Sequence, residues 1–200
     1  MSTTVDAIFC YLTNTTEFIA NNRSISTEEH TSRFCRFQNR HLVYDELNDI
    51  VGKSRVQFAT VRHPVQRFLS GFVDKCICEA EEVKKLCLKC NDNLICFIEK
   101  LYSYLNDVYA SNKTLKGYNY DLAHFAPQNW YCNFYNHFDD YIIIRQGENR
   151  EEIMEHAQKL EMILRSANVP DRYRKEINRQ LLTHLSQSDE KEQTSSFTVA

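Results

Sequence analysis

The sequence is poor in chain breakers, with 4 glycines and 3 prolines in 200 residues, against average usage of about 7% and about 5%. That scarcity excludes collagen-like, linker-like and loop-rich miniprotein architectures. Long apolar runs are also missing: stretches such as Tyr141 to Ile144 fall far short of the roughly 20 residues that cross a bilayer. Met1 is not followed by a basic-then-apolar leader, so the chain as written shows neither anchor nor signal. There is no excess of positive charge, the net charge being −3, which argues against a general nucleic-acid binder. The chain is, however, 42% hydrophobic and 12% aromatic, enough to fill one core. Its length fits one domain over 1–185 and a polar, disordered tail over 186–200.

Charge is unevenly spread. Between positions 53 and 75 five cations (Lys53, Arg55, Arg62, Arg67, Lys75) face one anion, Asp74, a pattern that suits a small anionic ligand. Five of the eight cysteines (Cys76, Cys78, Cys87, Cys90, Cys96) fall within 21 positions, which is unusual for a reducing compartment. Three glycosylation sequons begin at Asn14, Asn22 and Asn112, and they have meaning only in the secretory pathway. Together they favour a lumenal or extracellular protein.

Periodicity supplies the elements. Val5, Ile8, Phe9 and Leu12 follow helical spacing, and Thr3 to Asp6 has the form of a capping box. Val56 to Val61 reads as a short buried strand, with Pro64 opening a helix directly after it. That helix places Val65, Phe68, Leu69, Phe72 and Cys76 on one face and Arg67, Ser70, Gly71 and Asp74 on the other. Leu94, Ile98, Leu101, Leu105 and Val108 mark a further helix, Ser111 to Gly117 is a polar loop, and Tyr141 to Ile144 is a second buried strand. Asn149 with Glu152 caps a helix with core residues Ile153, Ala157, Leu160 and Leu164, and Pro170 starts a last one through Tyr173, Ile177, Leu181 and His184. Strands alternating with helices point to an α/β sheet, parallel, whose ligands bind at the carboxyl ends of strands.

The stretch from Arg62 to Phe72 stands at such an end. Arg62 leaves the strand where a guanidinium can grip a phosphate bidentately. Arg67 and Ser70 lie one turn apart on the polar helix face and can aim at the same anion, while Gly71 removes a side chain that would hold a ligand or another backbone away. The helix N-terminus adds its own positive end. The competing reading is an amphipathic surface helix with two ordinary arginines.

Arg-x-Pro-x-x-Arg-x-x-Ser after an apolar strand resembles the 3′-phosphate-binding motif of sulfotransferases that use 3′-phosphoadenosine 5′-phosphosulfate (PAPS), with Arg62 and Ser70 matching its phosphate ligands. Phe58 to Arg62 and Gly71 to Cys76, with His124-Phe125-Ala126-Pro127-Gln128 and Cys132, are similar to Golgi carbohydrate sulfotransferases of the chondroitin 4-sulfotransferase type, especially their nematode branch. The resemblance runs from Met1 to about Pro170, and His63 stands where the family often has Asp or Glu. It implies a P-loop-like sulfotransferase fold, PAPS as sulfuryl donor, a chondroitin-like polysaccharide as acceptor, and residence in the Golgi lumen as an anchored type II membrane protein. Met1 to Thr4 resemble the second half of the family's 5′-phosphosulfate loop, which puts Ser2, Thr3, Thr4 and the helix amides against the 5′-phosphate. The loop lysine and its strand are missing, as if the N-terminus were truncated.

Sulfuryl transfer resembles phosphoryl transfer, in which the protein positions groups and stabilises spread negative charge, and the scheme requires no metal. A histidine is the natural base for the sugar hydroxyl. His124 is the first candidate by its motif position, followed by His30 and His41, with a structural histidine as the alternative. Arg145 lies just past the second strand, where it can reach nucleotide or acidic acceptor, or serve as a plain surface arginine. Two other readings stay open: a non-catalytic relative that binds nucleotide or glycan without transfer, and zinc ligation by the clustered cysteines. The sequons and the lumenal family favour disulfides, with one of the five cysteines pairing to Cys10, Cys35 or Cys132.

Overall fold

The computed structural model describes residues 2–29, 32–35, 44, 46–52, 54–78, 87–111, 120–147 and 149–182. Along the chain run α1 (Ser2–Thr13), α2 (Thr15–Ala20), α3 (Leu47–Val51), β1 (Phe58–Val61), α4 (Pro64–Phe72), α5 (Leu94–Ala110), α6 (Tyr120–Phe125), β2 (Ile142–Arg145) and α7 (Arg150–Ser166). Residues 171–182 form α8. The chain groups into two compact units, one from Met1–His41, Asp45–Val61 and Asp140–Ala200, the other from Leu42–Tyr44 and Arg62–Asp139.

The first unit holds the sheet. β1 and β2 pair in parallel, Phe58 opposite Ile142 and Val61 opposite Arg145, which bears out the α/β reading with a parallel pair. The Val61 carbonyl accepts from the Gln146 amide at 2.7 Å. Both strands are shorter or shifted relative to the apolar runs: β1 starts at Phe58 instead of Val56, and β2 ends on Arg145. Nor are they uniformly buried. Phe58 to Val61 are half-buried, and in β2 only Ile144 is fully enclosed while Ile142 is open. Among the described residues the sheet has two strands.

α1 buries part of the face its spacing suggests, Ile8 being in the core and Leu12 packed against it, but Phe9 is turned out. Ala7, Ile8, Cys10 and Tyr11 are buried, whereas Phe9 is 42% exposed and stacks on Phe58 at 6.2 Å. Two interactions set that rotation: a disulfide from Cys10 to Cys35, and edge-on contacts of the Tyr11 ring with Phe18 and Tyr173. The capping box does not form in the expected place, because the helix already begins at Ser2 and Asp6 pairs with Arg33. The cap of α7 does form: the Asn149 side chain accepts from the Glu152 amide at 2.9 Å. Ala157, Leu160 and Leu164 are buried as expected, joined by His156 and Ile163. Gly147 permits this start of α7, since a β-carbon there would lie 2.4 Å from the Glu152 backbone. In α8 Ile177 is fully buried; His184 and the tail from 186 lie outside the described residues.

The second unit is built on phenylalanine. α4 runs into a π-helical turn, Val73–Cys78, and Phe72, Phe97 and Phe125 are buried with Phe68 packed against them. Ring centroids lie 4.7 Å apart for Phe97 and Phe125 and 5.3 Å for Phe72 and Phe97. The inward face of α5 carries Leu101 and Leu105 as expected, with Phe97 added, while the expected Leu94 and Ile98 are exposed. Aromatic contact with Phe72 and Phe125 turns Phe97 inward. On α4 the apolar stripe is wider than the buried face: Phe68, Phe72 and Cys76 go inward, while Val65 and Leu69 stay 58% and 46% exposed.

Candidate functional site

The first turn of α4 follows β1 after two residues, Arg62 and His63. Pro64 occupies the first helical position, where it has no N–H to lose, and the Arg67 amide makes the first backward bond, to the His63 carbonyl at 2.9 Å. The amides of Val65 and Gln66 therefore sit at the positive end of the helix. Arg62 is half-buried at this end, and Ser70 is exposed three residues beyond Arg67.

Residues 125–128 lie along this motif in the opposite chain direction. Phe125 covers Gly71: a β-carbon there would come within 3.2 Å of its ring. The glycine thus admits a phenylalanine and not a ligand, which corrects the role expected for it. The Ala126 carbonyl accepts from Arg67 Nη1 at 2.7 Å. Gln128 then takes both backbone groups of Arg62, its Oε1 accepting from the Arg62 amide at 3.0 Å and its Nε2 donating to the Arg62 carbonyl at 2.7 Å. The two segments singled out separately in the sequence are therefore one constellation. Spacing gave no sign of Gln128's bond to a backbone 66 positions away.

Arg67 is partly committed. Besides Ala126 it hydrogen-bonds Tyr131, whose hydroxyl is pushed up by burial and drawn back by the guanidinium's charge and bond. Other cations of the basic segment have local duties: Arg55 holds Asn48, Gly52 and Gln57, and Lys75 pairs with Asp74 at 3.0 Å. Lys53 lies outside the described residues. Among the described cations of that segment, Arg62 and Arg67 are the two at the start of α4.

His124 is half-buried in the last turn of α6, its ring edge-on to Phe125 at 6.5 Å. His30 and His41 lie outside the described residues. Ser2, Thr3 and Thr4 form the first turn of α1. Arg145 is the exposed last residue of β2, not a residue beyond it; its carbonyl accepts from His156 Nδ1 at 3.0 Å.

Four of the five clustered cysteines form disulfides, Cys76 with Cys87 and Cys90 with Cys96. A metal needs thiolates, so these bridges remove the zinc reading of the cluster. The odd cysteine, Cys78, lies outside the bridges with Cys132, while Cys10 and Cys35 pair with each other. Among the described residues no group of His, Cys, Asp or Glu could hold a metal ion.

The sequence matches the model of the sulfotransferase family over residues 1–198. The chain belongs to that family. It is similar to the carbohydrate sulfotransferase chst-1 of Caenorhabditis elegans, with 32% identity over 176 residues, covering 86% of this chain and 53% of that protein. It is also similar to vep-2 of the same nematode, 30% identical over 176 residues and covering 85% and 53%. The chain spans about half the length of these curated relatives. No solved structure matches it significantly.

Proposed function

We propose that this sulfotransferase moves the sulfuryl group of PAPS to a sugar hydroxyl of a glycosaminoglycan, with chondroitin 4-O-sulfation as the specific reaction. The observation that carries the proposal is the α4 constellation, Arg62 at the helix start held by Gln128, Arg67 tied to Ala126, and Ser70 further along the same helix, in a chain of the sulfotransferase family. A guanidinium, a hydroxyl and helix amides form a donor set that fits a phosphate dianion. PAPS, when bound, supplies the activated sulfuryl group.

In this reading Arg62 and Ser70 bind the 3′-phosphate, with Arg67 contributing charge from its bonded position. Ser2, Thr3 and Thr4 are proposed for the 5′-phosphate on the sequence resemblance to the family's P-loop-like segment alone. His124 accepts the proton of the attacking hydroxyl. Three disulfides support an oxidising compartment, and the Golgi lumen, with the whole protein anchored as a type II membrane protein, is the compartment proposed.

The test is transfer of labelled sulfate from PAPS by the full-length protein, with desulfated chondroitin and other desulfated glycosaminoglycans as acceptors. Label at the 4-position of chondroitin is the expected result. Label on another glycan would replace the acceptor, and nucleotide binding with no transfer to any glycan would replace the enzyme by a binding protein.

A further inference from the structure

We propose that Gln128 is the positioning residue for Arg62, fixing the backbone from which the phosphate-binding guanidinium projects. The proposal rests on the reading of Arg62 as a nucleotide ligand. Its physical basis is the pair of bonds already described: one side-chain amide saturates both backbone polar groups of one residue, donating at 2.7 Å and accepting at 3.0 Å. A primary amide is the side chain suited to this, because it offers a donor and an acceptor in the geometry of a peptide group.

The site of the clamp explains its use. Val61 is the last residue whose carbonyl is satisfied by the sheet, through the Gln146 amide. Helical bonding resumes only at the Arg67 amide. Arg62 falls in the gap between the two ladders, where neither strand nor helix fixes its φ and ψ. Half-buried backbone groups need partners, and Gln128 supplies both. Pro127 and the short helical turn Gln128–Trp130 set the approach of the amide, while the neighbouring bond from Arg67 to the Ala126 carbonyl ties the same segment to α4. A small rotation at Arg62 would swing a long guanidinium arm by ångströms, and displacements of that size are costly to phosphate recognition.

The test measures binding of 3′-phosphoadenosine 5′-phosphate and of adenosine 5′-monophosphate, which lacks the 3′-phosphate, to the full-length protein by calorimetry, with thermal melting alongside. Gln128→Met keeps the length of the side chain and removes both bonds; it should weaken the bisphosphate about tenfold and leave the monophosphate within about twofold. A merely structural role would weaken both nucleotides together and would overturn the proposal. Gln128→Glu gives a second, independent reading. As a carboxylate it cannot donate to the Arg62 carbonyl, but protonated it can. Its affinity for the bisphosphate relative to wild type at the same pH should therefore be low at pH 7.5 and recover towards pH 5, the ratio cancelling the titration of the nucleotide itself. A ratio flat with pH would contradict the clamp. If Arg62→Ala leaves bisphosphate affinity unchanged, the assignment of Arg62 falls and this proposal with it; if Arg62→Ala is impaired and Gln128→Met is not, only the positioning role is refuted.

Discussion

Each of the two units has a core of its own kind. In the first, twelve described residues form the buried core, mostly aliphatic side chains from α1, β2, α7 and α8, with one disulfide closing 25 positions. In the second, three phenylalanines, three half-cystines and a leucine form the core, with disulfides closing 11 and 6 positions. Almost half of the second core is thus covalent cross-link. The unit with the Arg62 to Phe72 segment depends on ring contacts, S–S bonds and side-chain-to-backbone ties. The unit with the sheet depends on ordinary packing of amphipathic helices.

That contrast can be broken at its apolar centres first. Phe97→Ala removes a fully buried ring that touches Phe68, Phe72 and Phe125 and should cost about 3–5 kcal/mol in chemical denaturation. Leu160→Ala, buried in the first unit, should cost about 2–5 kcal/mol. With hydrogen exchange as the readout, the first substitution should deprotect α4 and α5, and the second α7 and α8. Deprotection of all four helices by either would mean that the units unfold as one.

Reduction is the next lever. Each bridge is worth about 2–4 kcal/mol, so removing Cys76–Cys87 and Cys90–Cys96 together should weaken nucleotide binding, and Cys10→Ser with Cys35→Ser should lower the melting temperature with less effect on affinity. The reverse pattern would show that nucleotide binding does not depend on these disulfides.

A smaller effect is expected at Gly147. An alanine β-carbon would overlap the backbone of Glu152 and Ile153, so Gly147→Ala should cost about 1–3 kcal/mol by forcing the start of α7 to shift. Unchanged stability would mean the loop moves freely.

The smallest effect is in the pH response. His156 is buried, and that burial lowers its pKa from the ordinary value of about 6.5, with the bond to the Arg145 carbonyl acting in the opposite direction. The unfolded chain therefore takes up the proton first, and this residue's contribution to stability is intact above pH 6.5 and declines as pH falls towards the lowered folded value. Protection of α7 amides should drop between pH 7.5 and pH 5, and His156→Gln should flatten that slope. An unchanged slope would place the acid sensitivity elsewhere.

Much of the fold was legible because it is local. The Asn149 cap and the α7 core positions follow from spacing and cap chemistry that involve only near neighbours, and the parallel pairing of two distant strands follows from the alternation of strands with helices. The inward turn of Tyr11 in α1 and Phe97 in α5 was not, because both meet aromatic partners distant in sequence. Around the motif, the strand end and the helix start at Pro64 were readable. Gly71 was misassigned because a glycine signals close approach without saying of what, and Phe125 is what approaches. Gln128 was named in a motif but its bond was invisible, since only the folded chain brings an amide to a backbone 66 residues earlier.

The central claim is that the start of α4 reads a 3′-phosphate through Arg62. Calorimetry on the full-length protein, comparing 3′-phosphoadenosine 5′-phosphate with adenosine 5′-monophosphate in wild type and Arg62→Ala, tests it directly. Wild type should prefer the bisphosphate, and the variant should lose about 2 kcal/mol or more of that preference, roughly 30-fold. Equal preference in both proteins would contradict it.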